Sequence, residues 1–362
     1  MTVAQAVIVV MWLGVSAYAV FGGADFGGGF WDLVAGRSAA AGRRRQLIEE
    51  AMAPVWEANH VWLIFILVYL WTGFPTASTS LMTTLSVPLG LVLVGIIARG
   101  SGFVFRKSID GSADQRRYGA VFSASSTMTP FFLGTVAGGV ASGRVPPGDA
   151  AGDRWTSWLN PTSLVGGVLA VAVCAFLAAA FLTWEADQRQ DPALTSWFRT
   201  RAIAAGFVAG AVALGGVIPL RADAPRLFDG LTSGWGASLV VVSAAGGVAA
   251  IRWLWWRRYE RARVAAVVAV VAVIWGWGAA QYPYLLVDEL TLADGAGATS
   301  SLWALLVVFA VAAGLAVPSL VYLFILSGRG LLRTGGERHR ESSGALLERL
   351  TAEQRRGGQG ES

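Results

Sequence analysis

Apolar residues in this chain gather into long uninterrupted runs. Nine of them, near 4–24, 54–74, 78–99, 116–140, 161–184, 201–220, 235–255, 263–283 and 302–327, approach the ~20 residues that an α-helix needs to cross a bilayer core. Polar, proline- and glycine-bearing segments separate them, the longest covering 141–160 and 284–301. A transmembrane barrel would read as short alternating strands, a pattern absent here. The expected architecture is all-α integral membrane, with nine transmembrane helices over residues 1–328 built as two four-helix bundles plus one peripheral helix. Residues 329–362 make a polar tail, in which 346–350 can form a short surface helix.

Charge sharpens this picture. Only 14% of the 362 residues are charged against 55% hydrophobic, too little charge to cover a soluble domain of that size. The net charge of +5 raises the question of nucleic acid. The basic residues, however, sit in short clusters between apolar runs and give no basic stripe. Those clusters orient the chain. With the N-terminus outside, 24 of the 28 Lys and Arg fall on the inner side, and only Arg144, Arg154, Arg221 and Arg226 fall outside. The positive-inside rule demands such an asymmetry, and a wrong span count would scramble it. The expected topology is therefore N-out and C-in. No basic stretch precedes the first run, so it is expected to stay as a span. Cys174 is the sole cysteine, which excludes an intrachain disulfide and a cysteine metal cage.

Ionisable groups at membrane depth are costly and tend to mark pathways or ligands. Here they concentrate at the inner ends of the first three runs. The first closes with Gly22-Gly23-Ala24-Asp25-Phe26-Gly27-Gly28-Gly29-Phe30-Trp31-Asp32. Were this stretch helical, Asp25 and Asp32 would share a face, and Gly23 and Gly27 would let another helix approach closely. The plainer alternative is a helix end carrying two solvated acids. The second run opens with Pro54-Val55-Trp56-Glu57-Ala58-Asn59-His60-Val61-Trp62. Glu57 reads equally as a first-turn acid favoured by the helix dipole, with Trp56 and Trp62 as interface anchors, or as a proton carrier sharing a face with His60. Arg99, ending the third run, can pair with one of these acids or snorkel to the headgroups. His60 and His339 are the only histidines, too few for a haem–copper centre. No nucleotide-binding or zinc motif stands in a suitable context. Trp275, Trp277, Tyr282 and Tyr284 read as an interfacial aromatic belt.

The segment from Gly23 to Leu33, followed by Pro54-Val55-Trp56-Glu57-Ala58-Asn59-His60-Val61-Trp62, resembles the N-terminal signature of cytochrome bd-type quinol oxidase subunit II. Arg99-Gly100-Ser101-Gly102-Phe103, Leu159-Asn160-Pro161 and Tyr282-Pro283-Tyr284 extend the likeness along the chain. The resemblance implies a multi-pass protein of the bacterial cytoplasmic membrane that pairs with a haem-bearing subunit I, sometimes with a small single-helix subunit. That partner would carry b-type and d-type (or all b-type) haems and the quinol site. The complex would oxidise quinol and reduce dioxygen to water. This chain would bind no metal and hold no catalytic residue, though relatives can keep a structural quinone here. Asp25 and Glu57 match two acids that line a proton route in relatives. Asp32, Asn59, His60 and Arg99 would support them, with Trp56 and Trp62 as motif aromatics. Two positions depart from the pattern. His60 stands where some relatives have glutamine, and Val104 where some place another channel acid.

Two other functions fit the same residues. One is a stand-alone proton-coupled transporter using Asp25, Glu57 and Arg99, although transporters more often place polar or broken segments in both halves. The other is a pure scaffold. The topology itself is testable with reporters. Alkaline phosphatase fused after residue 328 is expected to stay inactive, and inserted within 141–160 to be active. The reverse pattern would overturn the N-out orientation.

Overall fold

Small polar residues and prolines set where the helices begin. The computed structural model describes the backbone of residues 1–36, 38–108 and 112–328, and the side chains in that range except at 39, 53–58, 106–108, 112–116, 316–317 and 319–328. Thr2 and Gln5 form a reciprocal capping box that starts α1 (Val3–Leu33) and satisfies two amides that a helix start would leave unpaired. Ser38 precedes α2 (Ala39–Gly73). Proline occupies the first turn of α3 (Pro75–Thr84), α6 (Pro161–Gln188), α7 (Pro192–Asp223) and α8 (Pro225–Thr232), where its missing N–H costs nothing. Asn160 and Asp191 cap α6 and α7 with their side chains. The remaining helices are α4 (Ser86–Ser108), α5 (Ser112–Ala141), α9 (Gly234–Trp255), α10 (Tyr259–Gln281) and α11 (Thr299–Gly328). A short antiparallel ladder, β1 (Tyr284–Leu286) with β2 (Leu290–Thr291), follows the Tyr282–Pro283 bond; the expected all-α chain thus contains one small hairpin.

Eight of the nine apolar runs each lie along a single helix. Among the described residues six helices (α1, α4, α6, α7, α9 and α10) are long and apolar enough to cross a membrane. A seventh crossing follows if the pair 59–73 and 75–84, bent by 118°, is one span. Two expected boundaries are corrected. The run at 78–99 is divided between α3 and α4 at Leu85, because Pro75 starts a separate short helix whose Ser80, Thr83 and Thr84 hydroxyls accept amides of the 141–160 segment. The run at 54–74 is the second half of α2, which begins fifteen residues earlier at Ala39. The segment Ala39–Met52 is rich in Ala, Arg, Gln, Leu and Glu, all strong helix formers.

Residues 1–303 form one compact unit, and those from 304 onward a second, whose described part is the continuation of α11. Within the first unit, α1 packs against α2, α5, α6 and α10, while α4 pairs with α5, α6 with α7, and α9 with α10. The glycines of α1 make these crossings possible. A Cβ at Gly27 would collide with the Cys174 carbonyl and Ala178 of α6, at Gly29 with Ser126 of α5, and at Gly28 it would come within 2.9 Å of Met52 on α2. Trp31 completes the α1–α6 join by donating to the Ala175 carbonyl at 2.8 Å. A buried core of Leu47, Ile48, Leu177, Leu182, Phe198, Leu254 and Ala266 fills the space between α2, α6, α7, α9 and α10.

Ion pairs hold the ends near the α1–α2 and α6–α7 turns. Arg189 pairs with Glu50 and Glu185, and Arg43 with Asp191 at 3.4 Å. Hydrogen bonds from Gln46 and Arg189 hold the Glu50 carboxyl below its ordinary range. Trp275 and Trp277 do more than anchor an interface. Trp275 donates to Ser16 at 3.0 Å and Trp277 stacks obliquely on Trp12 at 5.4 Å, so both join α10 to α1.

The glycine contacts predict a graded response. Gly27→Ala is expected to cost about 1–3 kcal/mol by overpacking, read as a lowered thermal midpoint of the purified protein. Gly42→Ala, at an open helical position, is expected to be neutral or slightly stabilising. Equal midpoints for the two variants would contradict the close α1–α6 crossing.

Candidate functional site

α1 stays helical through its glycine run, so Asp25 and Asp32 lie on one side of it. Neither is solvated: Asp25 is 1% and Asp32 4% exposed. That overturns the reading of a helix end carrying two solvated acids. The physical reason is the glycine run itself, which brings α2, α5 and α6 close enough to keep bulk water from the carboxylates. A carboxylate taken out of water needs a cation and hydrogen bonds to offset desolvation, and both acids have them.

Arg99 supplies the cation for Asp25. It lies in the interior of α4 rather than at a helix end, is 3% exposed, and donates from Nη2 to Asp25 Oδ1 at 2.5 Å. Its Nε donates to Ser126 Oγ at 2.9 Å, and its guanidinium sits 5.0 Å from both the Phe26 and Phe122 ring centres. Of the two fates open to Arg99, pairing is therefore the one realised. Asn59, 3% exposed, donates to the other oxygen, Asp25 Oδ2, at 3.2 Å. Its own Oδ1 has no hydrogen-bond donor among the described residues. Asp32 accepts from Ser123 Oγ at 2.7 Å. It also lies 3.1 Å from Arg45 Nε, an ion pair not aligned as a hydrogen bond.

Two narrow cavities flank the Asp25–Arg99 pair. The first is lined by Asp25, Asp32, Arg45, Glu49, Met52, Arg99, Phe103 and Phe122, and leaves about 20 Å³ for water centres, enough for one molecule. The second is smaller and is lined by Tyr18, Asp25, Phe26, Asn59, His60, Leu63, Ile96 and Arg99. Asp25 and Arg99 are common to both. The arrangement is a buried ion pair with a narrow, water-sized cavity on either side.

The sequence-expected residues thus divide. Asp25, Asn59 and Arg99 are in direct contact, His60 lines the second cavity, and Asp32 lines the first. Trp62 contacts Phe65 edge-on at 6.1 Å and lies outside the cluster. The side chains of Glu57 and Trp56 lie outside the described residues. The backbone of α2 nonetheless corrects one reading of Glu57: position 57 is well inside a helix that starts at Ala39, so it is not a first-turn acid. Arg45, Glu49, Ser123 and Ser126 are additions that sequence reasoning missed. The hydroxyl-rich stretch Ser123-Ala124-Ser125-Ser126-Thr127-Met128-Thr129 inside an apolar run was the available signal. Among the described residues no three His, Cys, Asp or Glu side chains gather as a metal-holding group. His60 opens onto a cavity with about 10 Å³ for water centres, which cannot admit a haem macrocycle, so these residues do not fit one.

A sequence model of the family described as cytochrome bd terminal oxidase subunit II matches residues 3–327. The chain belongs to that family. It is similar to cytochrome bd ubiquinol oxidase subunit 2 of Bacillus subtilis, with 26% identity over 162 residues, 44% of this chain and 47% of that protein. A putative cytochrome bd menaquinol oxidase subunit II of the same organism is 24% identical over 246 residues, 66% of this chain and 69% of that protein. The cytochrome bd-I ubiquinol oxidase subunit 2 of Escherichia coli is 26% identical over 171 residues, 46% of this chain and 44% of that protein. The chain spans about half the length of the first and last of these relatives. In three dimensions it is similar to a chain of the bd oxidase from Geobacillus thermodenitrificans, with a TM-score of 0.71 and 26% identity over 92% of this chain and 100% of that one. Membership makes this subunit II chain a multi-pass membrane protein, in agreement with its apolar helices.

The ion pair makes a direct prediction. Arg99→Gln in this subunit II chain is expected to cost about 3–5 kcal/mol, because it strands a buried carboxylate. The Asp25→Asn/Arg99→Gln double variant is expected to lose less than the sum of the single changes. Thermal midpoints of the four proteins form the cycle, and additive losses would mean the two groups do not interact.

Proposed function

We propose that this chain is the subunit of a quinol:O2 oxidoreductase that ligates no haem. It supports a haem-bearing subunit I and lines a proton uptake route from the cytoplasm. The observation that carries the reading is the buried Asp25–Arg99–Asn59 cluster with a narrow cavity on either side. Oxygen reduction consumes protons, and a route to it needs polar groups held inside the bilayer where few are tolerated. Asp32, Arg45 and Glu49 line the first cavity, on the side where the basic residues cluster. In this reading that side is cytoplasmic, the chain crosses the bacterial inner membrane nine times as two four-helix bundles and a peripheral helix, and its N-terminus is outside. Haems of b and d type (or b alone) and quinol oxidation belong to subunit I, with a structural quinone and a small single-helix subunit as further components.

In the mechanism, this chain's residues hold and move protons. Asn59 fixes one Asp25 oxygen, Arg99 the other, and the side chains around them exclude bulk water. A proton entering the first cavity reaches Asp25 and leaves through the second cavity toward Asn59 and His60. Glu57, on the same helix as both, is the second carrier.

The test is turnover at constant haem content. Glu57→Gln is expected to lower oxygen consumption about 100-fold or more, the usual range for losing a proton-transfer group, while the complex assembles with an unchanged reduced-minus-oxidised haem spectrum. Unchanged turnover would remove Glu57 from the route. Loss of haem at normal levels of both chains would favour a scaffold, and substrate uptake by this chain without subunit I would favour a transporter.

A further inference from the structure

Around the α1–α2 and α6–α7 turns Arg199 donates to the Leu254 and Trp255 carbonyls, and three other arginines have an acid: Arg43 has Asp191, Arg45 has Asp32, and Arg189 has Glu50 and Glu185. Arg44 and Arg201 do not. Among the described residues neither has a carboxylate within ion-pair distance, yet the two are held together on one indole. The Arg44 guanidinium lies 4.5 Å and that of Arg201 3.5 Å from the Trp197 ring centre, so they are no farther apart than the sum of those distances. Trp197 is itself fixed by edge contacts with Trp31 at 6.2 Å and Phe198 at 4.7 Å.

Each guanidinium spends little of its hydrogen-bonding capacity on the protein. Arg44 donates once, to the Ala35 carbonyl at 2.9 Å, and Arg201 once, to the Trp197 carbonyl at 3.1 Å. A guanidinium carries five N–H donors, so most remain unused. Both side chains are half-buried. Two like charges held on one indole without an acid repel, and an anion beside them would relieve that repulsion. The position tells which anion. Arg201 opens the apolar run of α7, and Arg44 lies on the turn-side half of α2, so the pair sits where a bilayer presents its headgroups. Planar guanidinium forks match phosphate oxygens, and basic pockets between transmembrane helices are where anionic headgroups bind.

We propose that Arg44, Trp197 and Arg201 form a site for the phosphate of an anionic phospholipid, clamping α2 to α7. The lipid bridges helices drawn from the two halves of the chain, next to the core that joins α1 to α6. This is independent of the proton route, since none of the three residues lines either cavity.

Native mass spectrometry of the delipidated complex tests it, with phosphatidylglycerol, phosphatidylcholine and inorganic phosphate added in turn. Wild type is expected to retain phosphatidylglycerol in preference to phosphatidylcholine. The Arg44→Gln/Arg201→Gln double variant is expected to lose that affinity by about 30-fold, the effect of removing two basic residues near an anionic surface, with turnover unchanged. Arg43→Gln, whose guanidinium already faces Asp191, is expected to bind as wild type does. Wild-type phosphatidylglycerol retention in the double variant would overturn the site. Displacement of the lipid by equimolar inorganic phosphate would overturn the lipid assignment in favour of a free anion. If the double variant does not assemble, Arg201→Gln alone is expected to lose about fivefold, by the same per-residue contribution, and wild-type binding there would again overturn the proposal.

Discussion

The close crossing of α1 with three other helices is the constraint on which the rest of this subunit depends. Three consecutive glycines, 27 to 29, face α6, α2 and α5 in turn. No residue with a side chain could serve at Gly27 or Gly29 without moving a neighbouring backbone or hydroxyl. In a membrane, where burial of apolar surface does not drive helices together, such small residues let packing and interhelical hydrogen bonds do so. The join that Trp31 makes to the Ala175 carbonyl is a bond of this kind, fixed where the backbones come nearest.

The same closeness determines the chemistry. Asp25 and Asp32 belong to the helix that is wrapped most tightly, so they are withdrawn from water by the packing that the glycines permit. A lone carboxylate there would be far too costly. Arg99 from α4, Asn59 from α2 and Ser123 and Ser126 from α5 are what make burial tolerable. The site and the helix packing are therefore one construction: relaxing the crossing would admit water to Asp25, and removing Arg99 would strand it.

Much of this was legible in the sequence, and the gaps have physical causes. The apolar runs showed where most of the long helices lie, because a bilayer punishes exceptions. The motif around Asp25 and the one around Glu57 brought the right segments to attention, and Arg99 was available as a partner for an acid. What could not be read was depth. A first-turn acid and a mid-helix acid look alike until the true helix start is known, and apolar content says nothing about the polar helix preceding residue 54. Ser123 and Ser126 were hidden for a related reason. Hydroxyls in a membrane helix usually return their hydrogen bond to their own backbone, as Ser125, Ser126 and Thr129 do, so whether one also accepts from Arg99, as Ser126 does, or donates to Asp32, as Ser123 does, depends on the neighbour that packing brings.

The distribution of acids follows from how the chain repeats its own plan. Helix α2 breaks at Phe74 (φ −139°, ψ 64°) before Pro75, and α7 at Ala224 (φ −140°, ψ 61°) before Pro225; each break residue donates to the carbonyl four residues earlier at 2.9 Å. The order of long and short helices from α1 to α5 recurs from α6 to α10, and the pairings α1–α2, α4–α5 and α1–α5 recur as α6–α7, α9–α10 and α6–α10. In this correspondence the Trp31-Asp32 ending of α1 matches Trp184-Glu185 of α6. Counting back equally from each, Asp25 matches Ala178, which lies fully buried against Gly27. The two halves meet along α1 and α6, and that crossing leaves no room for a longer side chain at 178, whose Cβ already lies against Gly27. Alanine on α6 permits glycine on α1, and the first half is left to hold the buried charge.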